Sequence, residues 1–444
     1  MAHYETMSER ICKDLREIVL ASTINTPPFK VKDFAIVTEE RGIYNKSPIL
    51  FQEAHLGLEA WSVDIIYQYV CSKIFPLRKH LARGKTSLQE RRNLNCWLIA
   101  AILINPQVTT FWNMRRNLAL QAAVAFSVEL EFSRIVLTRN YKSSDAFTYR
   151  RWVLQRMFLD ETARCVVFGV TRSLFYGELQ ICDKVLELAP DNYHCWIHRQ
   201  CCMVIFDMKN VIEDTLREEF KFIDLWVQRH TKISNGYHYK QFLINFVNVN
   251  KRYGPQSSIS FANNSVIVPR SACKSVEDGK INIDNFWEQL GNNDFYDCSK
   301  TFNMWICVLW NDLANEDFKD KLFYMHENFW LHRRFILYMM FSSIYYNLGG
   351  KLDVGNEVIH VKSTLRDPNI LFTVSNSNYK VDEPIFINHA RNKIITSPFY
   401  KALISAEKKL VQKLTFPSNH ELIRRHCSWL NNFLRFDVEL TSES

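Results

Sequence analysis

Five stretches of the chain share one layout: a turn, an aromatic residue, two further positions, then a basic residue. The clearest are Trp112-Asn113-Met114-Arg115-Arg116, Trp196-Ile197-His198-Arg199-Gln200 and Trp330-Leu331-His332-Arg333-Arg334. Two looser copies are Phe147-Thr148-Tyr149-Arg150-Arg151 and Tyr237-His238-Tyr239-Lys240-Gln241. The anchors at 112, 147, 196, 237 and 330 are separated by 35, 49, 41 and 93 residues. The first three gaps are each the size of one helical hairpin, so a repeat architecture is the first constraint on the fold. Each early copy follows a break: Asn105-Pro106, Ser143-Ser144-Asp145, and Ala189-Pro190-Asp191-Asn192. Such breaks stop one helix and start the next. Trp226 and Arg229 also match the bare spacing but fit no repeat.

The residues around each copy carry helical periodicity. Leu179, Cys182, Val185 and Leu186 share a face before the third turn. After it, Tyr193, Trp196, Ile197, Gln200 and Val204 are expected to share another. The unit is helix, tight turn, helix. Residues three and four apart on a helix are neighbours, so Arg115 and Arg116 flank the Trp112 face. A guanidinium at the edge of a core must be paired or hydrogen-bonded. The arginines are expected to hold carboxylates or helix-end carbonyls of the adjacent hairpin, which suits their planar donors. The competing reading is an anion site on each repeat; a shared repeat signature favours the packing latch.

Composition agrees with helices. Only 12 Gly and 12 Pro occur in 444 residues. The net charge of +8 is spread without a long basic run, which argues against a nucleic-acid binder. The nearest basic cluster, Arg78-Lys79-His80 with Arg83 and Lys85, reads as a solvated face. The 12 Cys show no paired metal spacing, so no metal ligand set is assigned. They read as small core residues kept reduced, which fits a cytoplasmic location. The start of the chain reads as no signal peptide, and no apolar run is long enough to span a membrane.

Residues 1–87 form a lead-in: a helix at Ser8–Ala21, a mixed segment at Lys30–Leu50 with room for a hairpin, and a helix at Glu53–Phe75. Residues 88–444 hold the repeats, interrupted by irregular insertions at about 252–298 and 351–393 and closed by a hairpin at Leu403–Phe436. The expected class is all-α, a superhelix of helical hairpins.

The aromatic-x-x-basic core after these breaks resembles the repeats of protein prenyltransferase alpha subunits. The likeness is sharpest at Asp191-Asn192-Tyr193-His194-Cys195-Trp196-Ile197-His198-Arg199-Gln200. The resemblance implies a crescent that wraps a beta subunit. That partner, in the nearest branch the one shared with Rab geranylgeranyltransferase, would hold the zinc, the geranylgeranyl diphosphate and the acceptor cysteine. It implies the alpha subunit of a type III-like protein geranylgeranyltransferase acting on a C-terminal cysteine of a SNARE or Rab-type protein. Lys142, five residues before Phe147, matches the family's diphosphate-facing lysine. Tyr193 and His194 match catalytic rim residues, and Asn192 a substrate-binding one. The family's nearby tyrosine falls on Ser144. The alternative is a non-catalytic helical scaffold for a protein partner.

Overall fold

The computed structural model describes residues 2–23, 30–38, 47–121, 123–159, 168–207, 213–249, 323–347, 407–408, 411–412 and 418–434. The insertions expected at 252–298 and 351–393 lie outside them, as does part of the closing hairpin. The chain divides into two compact units, Met1–Asp214 and Thr215–Ser444.

The first unit opens with α1 (Ala2–Ser22), then strands β1 (Asp33–Val37), β2 (Ile49–Gln52) and β3 (His55–Glu59), then α2 (Ala60–Ala82). Three hairpins follow: α3 (Leu88–Ile104) with α4 (Thr109–Leu120), α5 (Phe126–Arg139) with α6 (Ser144–Leu159), and α7 (Phe168–Leu188) with α8 (Tyr193–Asp207). In the second unit, α9 (Glu213–Arg229) pairs in sequence with α10 (Ser234–Val249), followed by α11 (Glu327–Asn347) and α12 (His420–Trp429). The all-α class stands, with one small sheet added. Trp112, Phe147, Trp196 and Tyr237 each lie in the second helix of a hairpin, and Trp330 lies in α11.

The lead-in differs from expectation at its second helix, which also continues through Pro76 to Ala82 instead of ending at Phe75. Residues 55–59 are a strand, and the helix begins at Ala60 rather than at Glu53. β3 pairs antiparallel with β2 and parallel with β1. The β2–β3 turn is Glu53-Ala54, both at positive φ. Two-residue hairpin turns normally announce themselves with Asn-Gly or Asp-Gly, so this one is silent in the sequence. Gly57 is required by close packing: a Cβ there would stand 3.1 Å from Val37 Cγ2 and 3.3 Å from Leu50 Cβ. The lead-in is fastened to the repeats. Glu9 Oε2 accepts from Tyr69 Oη (2.8 Å) and Trp97 Nε1 (2.7 Å), joining α1 to α2 and α3. The Phe34 amide donates to Thr138 Oγ1 of α5 at 3.0 Å.

The tryptophan of the repeat does two jobs. Trp112, Trp196 and Trp330 are fully buried. A buried indole N–H needs an acceptor. Each finds the carbonyl six residues back in its own turn: Pro106 (2.8 Å), Pro190 (3.0 Å) and Tyr324 (3.0 Å). The ring thus fills the core and holds the turn closed. Trp226, which fits no repeat, ends a first helix instead. It stacks on His230 at 4.3 Å and lies where a Cβ on Gly236 would come within 2.2 Å.

The first basic residue of each motif is a latch. Arg115 reaches from α4 to Glu129 of α5, with Nε to Oε2 at 2.8 Å and a second, shorter bond from Nη2 to Oε1. Arg150 of α6 grips both oxygens of Glu178 in α7 at 2.6 Å and donates to Leu130 O and Ser133 Oγ. Arg333 of α11 holds Glu407 in the same bidentate way. Arg199 and Lys240 turn back to the preceding helix, onto Asp183 (2.6 Å) and Asp224 (3.2 Å). The second arginine behaves differently from the expectation. Arg116 donates to Asn113 of its own helix and lies over the Tyr149 and Trp152 rings. Arg151 donates to Thr148, and burial lowers the pKa of Arg334.

The carboxylates complete a device that the motif alone did not reveal. Glu129 also accepts from Tyr149 Oη (2.6 Å), Glu178 meets His198 Nε2 (2.9 Å), and Glu219 accepts from Tyr239 Oη (2.5 Å). In all three cases the acid lies 20 residues before the side chain two places after the anchor. Glu129 and Glu178 therefore each take an arginine from the preceding hairpin and a Tyr or His from their own. This joins consecutive hairpins through the core, where one residue ties two interfaces.

The face of α8 also needs correction. Tyr193 is exposed, and Ile197, Gln200 and Val204 are only partly covered, while Cys195, Trp196, His198, Arg199, Cys201 and Cys202 are buried. An α8 packed against both α6 and α7 buries most of its circumference, so the expected face runs from exposed Tyr193 through partly covered Ile197, Gln200 and Val204 to fully buried Trp196.

These clasps fix the sign of the pH dependence. Burial works to raise the Glu178 and Glu407 pKa, but the arginine and histidine beside each bring it down from 4.5 to about 2. Burial pushes His198 and His426 below 6.5, against the pull of their glutamates. The unfolded chain therefore binds more protons than the folded one as pH falls below about 6.5, and again below about 4.5. Stability is expected to be level near neutrality, to fall on acidification through the histidine range, and to fall further toward about pH 2. Thermal unfolding across a pH series checks this; an unchanged midpoint from about pH 7 to about pH 4 would contradict it.

Candidate functional site

The turns of the first unit's hairpins lie linked along one edge. Thr109, at the start of α4, donates to the carboxylate of Asp145 at the start of α6, 3.2 Å away. Ser143 caps α6 through its Oγ on the Ala146 amide. Asn192 caps α8, its Oδ1 accepting from the Cys195 amide at 3.2 Å. Its Nδ2 crosses to the previous turn and donates to Tyr141 O at 2.7 Å. An asparagine at this position acts as acceptor for its own helix and donor to the neighbouring turn at once.

This arrangement brings the predicted rim residues together. Lys142 is exposed in the turn that Asn192 clips. Tyr193 and His194 open α8, with Tyr193 52% exposed and the two rings 5.7 Å apart, edge to face. Asn192 itself is buried with both ends of its amide engaged, so it positions the rim and does not reach outward. Burial lowers the His194 pKa, Arg151 adds to this, and Asp145 opposes it. His194 is therefore a neutral imidazole at pH 7, able to donate from one ring nitrogen. An ammonium, a phenol, an imidazole and the positive end of α8 share one edge, an arrangement suited to an anion with several oxygens.

The sequence reading missed a second copy of this device. Lys232 stands five residues before Tyr237, the same interval as Lys142 before Phe147. It is exposed, and Asn328 Nδ2 donates to its carbonyl at 3.0 Å. His326 precedes α11, its pKa lowered by burial and by Lys232. Counting five residues back from every anchor would have found it.

One buried cluster has metal-ligand chemistry. The ligand atoms of Glu178, His198 and Cys202 lie within 4.8 Å of one another. Arg150 already holds both oxygens of Glu178, and Nε2 of His198 faces the same carboxylate. Burial raises the Cys202 thiol well above its ordinary pKa. A cation here would face a guanidinium and a protonated thiol, so the cluster is a packing clasp. Cys182, Cys195 and Cys201 are likewise free and buried.

Comparison with known proteins agrees with the hairpins. The Protein prenyltransferase alpha subunit repeat matches residues 126–157 and 175–206, which are α5 with α6 and α7 with α8. The chain is 27% identical over 249 residues to Protein prenyltransferase alpha subunit repeat-containing protein 1-B of Xenopus laevis, covering 54% of this chain and 55% of the relative. To the Homo sapiens repeat-containing protein 1 it is 27% identical over 331 residues, covering 71% and 74%. To Geranylgeranyl transferase type-2 subunit alpha of Bos taurus it is 27% identical over 164 residues, covering 35% and 26%. The chain thus spans about half the length of some of the relatives it matches. No helix among the described residues is long and apolar enough to cross a membrane.

Proposed function

We propose that this chain, which carries protein prenyltransferase alpha subunit repeats, is the alpha subunit of a heterodimeric protein geranylgeranyltransferase. The observation that carries the reading is the Asn192 bridge, which sets Lys142 beside Tyr193 and His194 on one exposed edge. The likeness of residues 126–206 to alpha-subunit repeats supports it, as does the more distant likeness to a type-2 alpha subunit. The beta subunit, of Rab geranylgeranyltransferase type, supplies the zinc that activates the acceptor thiol and binds geranylgeranyl diphosphate. This chain supplies charge at the rim. As the thiolate attacks and diphosphate leaves, negative charge grows on the bridging oxygen. The Lys142 ammonium stabilises that charge more than it stabilises the ground state. Tyr193 and His194 donate to the same oxygens. The acceptor is a C-terminal cysteine of a SNARE or Rab-type protein, and the setting is cytoplasmic.

Co-expression with a beta subunit and transfer of labelled geranylgeranyl to a cysteine-terminated acceptor tests the reading. Transfer is expected only when both chains are present. A stable complex without transfer would instead leave a scaffold that binds its partner through the repeats.

A further inference from the structure

The charge of this chain is concentrated far from the rim residues in sequence. Residues 65–92 contain seven Lys or Arg and a single carboxylate, a net +6 against +8 for the whole chain. That carboxylate, Glu90, closes a capping box with Ser87 at the start of α3. At the C-terminal end of α2 and the turn after it, Arg78, Lys79, His80, Arg83 and Lys85 are all exposed. Among the described residues, Arg78, Lys79, Arg83 and Lys85 form neither an ion pair nor a side-chain hydrogen bond. Some other exposed cations are paired: Arg10 with Asp14, Lys13 with Glu9, and Arg424 and Arg425 with Glu421.

Apolar side chains project through the same end of the unit. Phe75 is 49% exposed, Leu88 58% and Leu120 55%. The Gln121 amide donates to Leu81 O at 3.1 Å, which holds the end of α4 against the end of α2. Leu88 opens α3 directly after the Ser87 cap, seven residues from Leu81, so α3 begins beside this patch too. The end of α2 and its turn thus present unpaired cations, with Leu88 and Leu120 exposed on the adjoining ends of α3 and α4.

We propose that this end of the first unit docks on an anionic phospholipid surface. The cations meet the headgroups, and Phe75, Leu88 and Leu120 enter the interfacial layer. Headgroup phosphates complement the exposed cations, and the interfacial layer takes up the exposed apolar side chains beside them, which an acidic segment would leave in water. The proposal is independent of the catalytic reading, because none of these residues lies on the turn edge that carries Lys142.

Co-sedimentation of the full chain with vesicles tests it. Binding is expected to phosphatidylcholine vesicles containing phosphatidylserine and not to phosphatidylcholine alone, and to weaken as salt rises from about 0.1 M to about 1 M. Reversing Arg78, Lys79, Arg83 and Lys85 to Glu is expected to weaken binding at least ~tenfold, since each surface cation contributes to the attraction. Reversing four exposed cations elsewhere (Arg10, Lys32, Lys221 and Arg229) is expected to leave most of it. Circular dichroism confirms that both variants fold; if the patch variant does not, the pair Lys79→Glu and Arg83→Glu replaces it. Equal loss from both sets would reduce the effect to net charge and overturn the patch. Binding to a polyglutamate peptide without binding to the anionic vesicles would overturn the lipid assignment in favour of an acidic protein.

Discussion

Replacing Arg150 with alanine destabilises the protein by about 3–5 kcal/mol, the range for breaking one partner out of a buried ion pair. The geometry explains the size. The Arg150 guanidinium is buried and satisfies both Glu178 oxygens, the Leu130 carbonyl and Ser133. Without it Glu178 keeps His198 as its partner in a fully buried site. Arg150→Lys is expected to recover little, because an ammonium lacks the planar fork that spans two carboxylate oxygens. The double variant Arg150→Met with Glu178→Leu is expected to recover most of the loss, since neither charge is then stranded. Arg116→Ala, removing a half-buried arginine that bonds only within its own helix, costs less than about 1 kcal/mol. Denaturant midpoints measure all four. A loss under about 1 kcal/mol for Arg150→Ala would mean that the clasps do not hold the hairpins together.

Lys142→Ala is expected to lower turnover of the reconstituted heterodimer by about ten- to a hundredfold, the scale of losing one donor to developing charge. The side chain is exposed and its turn is held through the Tyr141 carbonyl, so folding and subunit association should survive. The change should appear in kcat more than in KM, because under the proposed function the ammonium acts on charge that grows only as diphosphate departs. Lys142→Arg should keep part of the rate. Unchanged single-turnover rates in Lys142→Ala would remove this lysine from the chemistry. Asn192→Ala is a different case: it loosens the turn and the start of α8 together, so its effect would combine stability with rate.

The parts of this fold that the sequence made legible are those with strong local signals. Breaks at Asn105-Pro106 and Pro190-Asp191 mark the hairpin turns, and buried Trp112, Trp196 and Trp330 mark the second helices. The β2–β3 hairpin was hidden because Glu53-Ala54 takes a left-handed turn without glycine or asparagine. How far each residue of the Trp196 face of α8 is covered was not legible, because helical periodicity gives a repeat of faces but not what packs on them. Here α6 and α7 cover the face carrying Cys195, His198 and Cys202, so the apolar Ile197 and Val204 lie toward the surface. The glutamate partners were missed for another reason. Glu129, Glu178 and Glu219 lie 20 residues before the Tyr or His they meet, a spacing set by two antiparallel helices and a turn. No single helix period reveals it.

At the rim, the residue types came from a resemblance and their juxtaposition from the structure. Nothing local in Tyr141-Lys142-Ser143 announces a site, since an exposed turn lysine is ordinary. The buried Asn192 amide is what distinguishes this turn, and it does so through a bond between residues 51 positions apart. Ser144, standing where the family has a tyrosine, is the first helical residue of α6 and is exposed.

The central claim is that the turn edge carrying Lys142, Tyr193 and His194 faces the departing diphosphate of a prenyl donor. An experimental structure of this chain with a beta subunit and a non-reactive geranylgeranyl diphosphate analogue measures that directly. The account predicts the Lys142 Nζ and the Tyr193 and His194 side chains within hydrogen-bonding reach of the diphosphate oxygens. A complex in which that edge faces solvent, with the diphosphate held by the other chain alone, would contradict it.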